Sequence, residues 1–101
     1  MTEHFNQLTE AEQERLAILI EECAEVQQIA CKILRHGYES DNPVLQNQET
    51  NRRALERELG DLGHAVRRME KAADINPLAI RARAASKPER ILPYLHHQEP
   101  E

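Results

Sequence analysis

The sequence predicts an all-α fold, an antiparallel helical hairpin followed by a C-terminal helix, on three observations. Apolar residues recur at three- and four-residue spacings through two long stretches, each preceded by a threonine in helix-capping position. Leu, Ile, Ala, Glu, Arg and Gln dominate, while aromatic residues make up 3% (one Phe, two Tyr, no Trp), a balance that favours helix over sheet. The 101 residues suffice for one small domain and leave nothing for a second.

Thr9 and Glu12 form a capping box, and periodic apolar positions begin at Leu16, so the first helix is expected from about Glu10 to His36 with Gly37 as its left-handed stop. The polar stretch YESDNPVLQNQET, with Pro43 and only Val44 and Leu45 to bury, reads as a connecting loop over 37–50. A second helix starts near Thr50 or Asn51 and should end near Asp74; Leu55, Leu59, Leu62, Val66, Met69 and Ala73 make one apolar stripe along it. Asn76 caps a third helix with Pro77 at its first position, expected to reach about Leu95 and to kink or split at Pro88. The core of the domain is thus about 9–95, with a frayed tail at 96–101. Three helices give a lone chain little to bury, so the bundle is expected to be completed by oligomerisation, as a homodimer or homotetramer.

The net charge of −5 conceals an asymmetry: Glu3 to Glu25 holds seven acids and one base, Arg52 to Arg90 ten bases and six acids. A net acidic chain poor in aromatics argues against nucleic-acid binding, which needs a basic stripe or stacking platforms. Cys23 and Cys31 lie eight residues apart on one helix, roughly 12 Å along its axis, too far for a disulfide, and read as reduced thiols of a cytoplasmic protein. No run approaches the ~18 apolar residues of a membrane span, and the N-terminus lacks a secretory signal, so a soluble, unprocessed chain is expected.

The chemistry lies in the acids. At ~100° per residue, Leu16, Leu19, Cys23, Val26, Ala30 and Leu34 share one face of the first helix, while Glu22 and Glu25 sit on another, one turn apart and flanked by Ile18 and Ile29. On the second helix Glu58 and Asp61 share a face with Ala54, Ala65 and Ala72, small residues that would let another helix come close. An antiparallel hairpin brings these four carboxylates together. Like charges in a partly dehydrated site protonate or recruit cations, and hard divalent ions bound by oxygen resolve the repulsion. The ordinary alternative is a solvated or salt-bridged face, with Arg52, Arg53, Arg57, Arg67 and Arg68 neutralising the acids across the hairpin as a structural ion-pair network.

The pattern EExxE followed at a distance by ExxD, here EECAE at Glu21 to Glu25 and ELGD at Glu58 to Asp61, resembles the all-α nucleotide pyrophosphohydrolases. That superfamily comprises MazG-type enzymes, dimeric dUTPases and phosphoribosyl-ATP pyrophosphohydrolase; the likeness is strongest to short MazG-like proteins and extends through NPLAI, over roughly residues 12 to 92. The resemblance implies that Glu22, Glu25, Glu58 and Asp61 bind Mg2+, with Mn2+ as a substitute, and that Glu21 orients the ligands or the water. It further implies Mg2+-dependent hydrolysis of a nucleoside triphosphate between the α and β phosphates, giving a monophosphate and pyrophosphate. Family members hold phosphate with a Lys and an Arg three apart on the last helix, a spacing matched by Lys87 and Arg90 around Pro88; Lys71 and Arg68 are further candidates. The 32 residues between the motifs exceed the usual short MazG spacing, which makes the loop an elaboration near the site.

Other signals are secondary. Asp61 and His64 have the spacing of a di-iron site, but the first helix lacks the matching Glu-x-x-His. His36, His96 and His97 fall near helix ends and should face solvent. Gly60 and Gly63 each cost a helix ~1 kcal/mol relative to Ala, which suggests close helix packing or, more sharply, backbone access for a ligand. Base stacking has only Phe5, Tyr38 and Tyr94 to draw on. The competing class is a non-catalytic helical oligomerisation or regulatory protein.

Overall fold

Thr9 opens the first helix as its sequence requires. The Thr9 hydroxyl accepts from the Glu12 amide at 3.1 Å while the Glu12 carboxylate accepts from the Thr9 amide at 2.9 Å, and α1 runs Glu10–His36. Glu10 and Glu12 in its first turn and Arg35 and His36 in its last complement the helix dipole. Gly37 ends it at φ 88°, ψ 167°, a conformation open essentially to glycine alone, with its amide bonded to the Ile33 carbonyl. The computed structural model describes residues 5–41 and 49–101; the loop residues Pro43, Val44 and Leu45 lie outside them.

Helix α2, Asn51–Lys71, is capped by Thr50, whose hydroxyl accepts from the Arg53 amide at 3.2 Å. It stops short of the expected Asp74. Ala73 takes a left-handed turn (φ 63°), its amide bonding the Glu70 carbonyl and the Asp74 amide bonding the Met69 carbonyl, the pairing of a Schellman motif without its usual glycine. This turn presents Asp74 to the start of α1, where Arg15 grips it with two hydrogen bonds of 2.6 and 3.0 Å. At the opposite end the Asn51 and Arg52 amides bond the Ser40 and Tyr38 carbonyls, both at 2.8 Å. Contacts joining the start of each helix to the end of the other make the pair antiparallel.

The apolar stripes are used only in part: Leu16, Leu19 and Val26 on α1 and Leu55, Leu62 and Val66 on α2 are half-buried. Among the described residues the fully buried side chains are Ile29, Ala65, Met69 and Glu58, so α2 buries residues of its acid and alanine face together with Met69 of its leucine stripe. Leu59 of the leucine stripe is 48% exposed, Leu34 of the α1 stripe 88% exposed, and Cys23 is exposed as well. Periodicity identified both faces of each helix, and the seam takes Glu58 and Ala65 from one face of α2 and Met69 from the other. Gly60 and Gly63 take no part in it: a Cβ at Gly60 would meet open space, and one at Gly63 only the flexible end of Arg67 at 3.5 Å.

Beyond Asp74, Asn76 caps α3 (Pro77–Ala85) through its side-chain oxygen, which accepts from the Leu78 amide at 2.9 Å. The third helix splits, as expected around Pro88, dividing at Ser86 into α3 and α4 (Lys87–Ile91), followed by a 3-10 turn at Leu92–Tyr94. Pro88 lacks an amide donor and its ring opposes the carbonyl of Ala84, which is why the break comes here. The main contacts of α4 run to α3 and to the 3-10 turn, while α1 packs on α2. The radius of gyration is accordingly 17.7 Å, against ~13 Å for a compact domain of about 100 residues. Cys23 and Cys31 are both free and exposed. Every regular element among the described residues is helical, and no helix among them is long and apolar enough to cross a membrane.

Candidate metal centre

Two acids three apart on a helix lie ~60° apart and one turn removed, so Glu22 and Glu25 on α1 and Glu58 and Asp61 on α2 each form a short ledge on one face. The antiparallel packing sets the ledges against each other. One carboxylate oxygen from each of the four residues lies within 4.8 Å of the others. Glu58 forms the floor at 7% exposure, Glu22 and Glu25 are half-buried, and Asp61 is open to solvent. The group therefore has a closed side and an open mouth.

Its charge is incompletely neutralised. Arg57 donates to one Glu58 oxygen at 2.6 Å, and the same guanidinium holds Glu49 through two bonds of 3.1 Å. Among the described residues, Glu22, Glu25 and Asp61 make no ion pair. The second oxygens of Glu22 and Glu58 are buried without a hydrogen-bond donor when the carboxylates are ionised. Contact with Glu58, first through a shared hydrogen bond and then through its charge, pushes the Glu25 carboxyl up to about 7, with burial and the charges of Glu22 and Glu21 adding to the effect. Burial likewise raises Glu22, followed by the charges of Asp61, Glu21 and Glu58, with His64 opposing them. A proton held between Glu25 and Glu58 is one way to quiet the group, and a cation is the other.

The donor set fits a hard divalent ion: four carboxylates, two orphaned buried oxygens, no sulfur or imidazole within the group, and an open side where water or substrate can complete the coordination. His64 lies outside it, in keeping with the missing di-iron motif. No protein-family model, curated protein or solved structure matches the chain. The reading of this site therefore stands on the residues themselves.

The other candidates are placed as follows. Glu21 is exposed, outside the group of four, and acts on it through its charge. Lys71 ends α2, ten residues beyond Asp61 and so roughly 15 Å along the axis. Lys87 is exposed on α4; Arg90 is turned inward on its own segment, donating to the Ser86 hydroxyl and the Arg83 carbonyl, both at 3.0 Å. Within one chain these cations are not gathered at the acids. Of the arginines expected to neutralise the hairpin, Arg57 reaches the group, whereas Arg52 pairs with Glu39 and lies over the Tyr38 ring at 4.4 Å. The Arg15–Asp74 pair carried no sequence signal, because its members are 59 residues apart and belong to no motif.

Proposed function

We propose that the protein is a Mg2+-dependent nucleoside triphosphate pyrophosphohydrolase of MazG-like type, cleaving between the α and β phosphates to release a nucleoside monophosphate and pyrophosphate. The observation that carries this reading is the convergence of Glu22, Glu25, Glu58 and Asp61 from two helices, with buried oxygens of Glu22 and Glu58 that have no donor among the described residues. These four residues would hold Mg2+ or Mn2+. When bound, such an ion bridges the phosphates, lowers the pKa of a water and offsets charge on the leaving group.

The chain's own contribution is positional and basic. Glu58, fixed from one side by Arg57, keeps one oxygen directed into the group. A carboxylate of the group that is not fully committed to the cation, with Glu25 at the half-buried rim, is the group that would accept the proton of an attacking water. Glu21 adds negative charge beside both α1 ligands and helps orient them. A second copy of the chain completes the fold in this reading: three buried apolar residues cannot offset the ordering cost of helices of 27 and 21 residues, at ~1–2 kcal/mol per residue, while Leu34, Leu59, Leu78 and Tyr94 remain exposed. Lys71, Lys87 and Arg90 are assigned to phosphate, with the α4 cations brought to a site by that assembly.

The 2.6 Å Arg57–Glu58 pair favours a second reading, a non-catalytic helical oligomer in which the acids form an ion-pair network. A panel of nucleoside triphosphates incubated with Mg2+ separates the two. Release of pyrophosphate, lost on chelation, is expected; no pyrophosphate from any triphosphate, together with a melting temperature indifferent to Mg2+ and Mn2+, would leave the network.

A further inference from the structure

A groove of about 300 Å3 lies between the start of α1 and the end of α2, lined by Ala11, Glu14, Arg15, Ile18, His64, Ala65 and Arg68. Its position follows from the register of the hairpin. Ile18 precedes Glu22 by one turn and His64 follows Asp61 by one, so whatever occupies the mouth of the acidic group has this groove as its next compartment. We infer that the groove seats the β and γ phosphates of the substrate, held by Arg68 and His64. This rests on the triphosphate reading above.

The lining argues for a polyphosphate and against a base. It contains no aromatic side chain on which a base could stack. Of its cations, Arg15 is committed to Asp74 by its two short bonds. Arg68 and His64 make no hydrogen bond or ion pair through their side chains among the described residues, and both are exposed to the groove's open side. Glu14, the single acid of the lining, forms no ion pair with Arg68 either, so the guanidinium stays available. A guanidinium presents parallel donors matched to phosphate oxygens, and Ile18 and Ala65 provide an apolar wall that keeps those bonds from dilution by water. The hairpin thereby places anionic ligands for a cation beside the Arg68 guanidinium and the His64 ring N–H, donors for the anion that the cation would accompany. Discrimination between tri- and diphosphates would reside here, because the γ phosphate alone reaches the far part of the groove.

The test compares wild type with Arg68→Gln, Arg68→Lys and His64→Asn, using steady-state hydrolysis of a nucleoside triphosphate and of its diphosphate, and calorimetric titration with inorganic tripolyphosphate in Mg2+. Arg68→Gln is expected to raise KM for the triphosphate about tenfold or more, the size of one charge-assisted hydrogen bond, and to weaken tripolyphosphate in parallel. KM for the diphosphate should move by less than about threefold, so that the preference for triphosphate collapses. His64→Asn should act in the same direction less strongly, and Arg68→Lys should recover part of the loss. Triphosphate KM and tripolyphosphate affinity at wild-type values in both Arg68→Gln and His64→Asn would overturn the inference while leaving the pyrophosphohydrolase reading intact. Arg68-dependent binding of tripolyphosphate by a protein that releases no pyrophosphate would do the reverse, upholding the groove and removing the enzyme reading. Both side chains are exposed, so unchanged melting curves are expected to confirm that the variants fold.

Discussion

The middle of the hairpin and its open end handle charge in opposite ways. At the end, Arg15 and Asp74 meet in a bidentate pair with side-chain exposures of 20% and 13%, and each stabilises the charged form of the other. In the middle, four acids face one another with one arginine among them, and Glu25 is held partly protonated as a result. One hairpin carries both arrangements. A charge is paired where it ties the end of α2 to the start of α1, whereas among the described residues Glu22, Glu25 and Asp61 have no cationic partner, which is the contrast on which the proposed metal site rests.

The largest expected effect breaks the acidic side of that contrast. Glu25→Gln should lower the rate of pyrophosphate release on the order of 10²–10⁴-fold, the contribution of a general base, while the apo melting temperature stays level or rises because repulsion is relieved. A clear fall in apo stability would place Glu25 in a structural network instead. Asp74→Asn comes next and has the opposite profile: the melting temperature falls further than in Arg52→Ala, which removes the exposed Arg52–Glu39 pair and its contact over the Tyr38 ring, and Mg2+-dependent activity persists below the new transition.

Acid–base titration of stability sharpens the comparison without losing either group. Glu25 has a folded pKa near 7 against an ordinary 4.5, so its contribution is fully present below 4.5 and is lost as pH rises through about 7. Asp74 is held below its ordinary 3.8 by Arg15; its contribution is present above 3.8 and disappears as pH falls through the lower folded value. Thermal unfolding of the apo protein should therefore show both an acid limb and a neutral limb, the first absent in Asp74→Asn and the second in Glu25→Gln. The smallest effect tests the turn that delivers Asp74: Ala73→Gly relieves a left-handed alanine and should stabilise by up to ~1 kcal/mol in a chemical denaturation series.

Several features were legible from local chemistry alone. Thr9 with Glu12, Gly37, and Asn76 with Pro77 set helix ends through hydrogen bonds and dihedral limits spanning a few residues, and α1 begins and ends where they require. The two acid pairs were legible for the same reason, since a three-residue spacing on a helix places side chains on one face regardless of context. Less was legible wherever two segments had to choose each other. The leucine stripe of α2 looked like the buried face, yet it shares the seam: Ala65 and Glu58 are buried alongside its Met69, and its Leu59 is half exposed. Gly60 and Gly63 suggested close packing, which they do not provide within the chain.

The sequence by itself determined both ends of α1, the starts of α2 and α3, the break near Pro88 and the chemical identity of the acids, because short-range sterics and hydrogen bonding decide these within a turn or two. Only the tertiary structure decided which residues of α2 are buried against α1, that the four carboxylates converge with Arg57 at their edge, that Arg15 finds Asp74, and that Arg68 and His64 border a groove beside them. A period of 3.6 residues sorts side chains into faces; contact with the opposite helix decides which members of each face are buried.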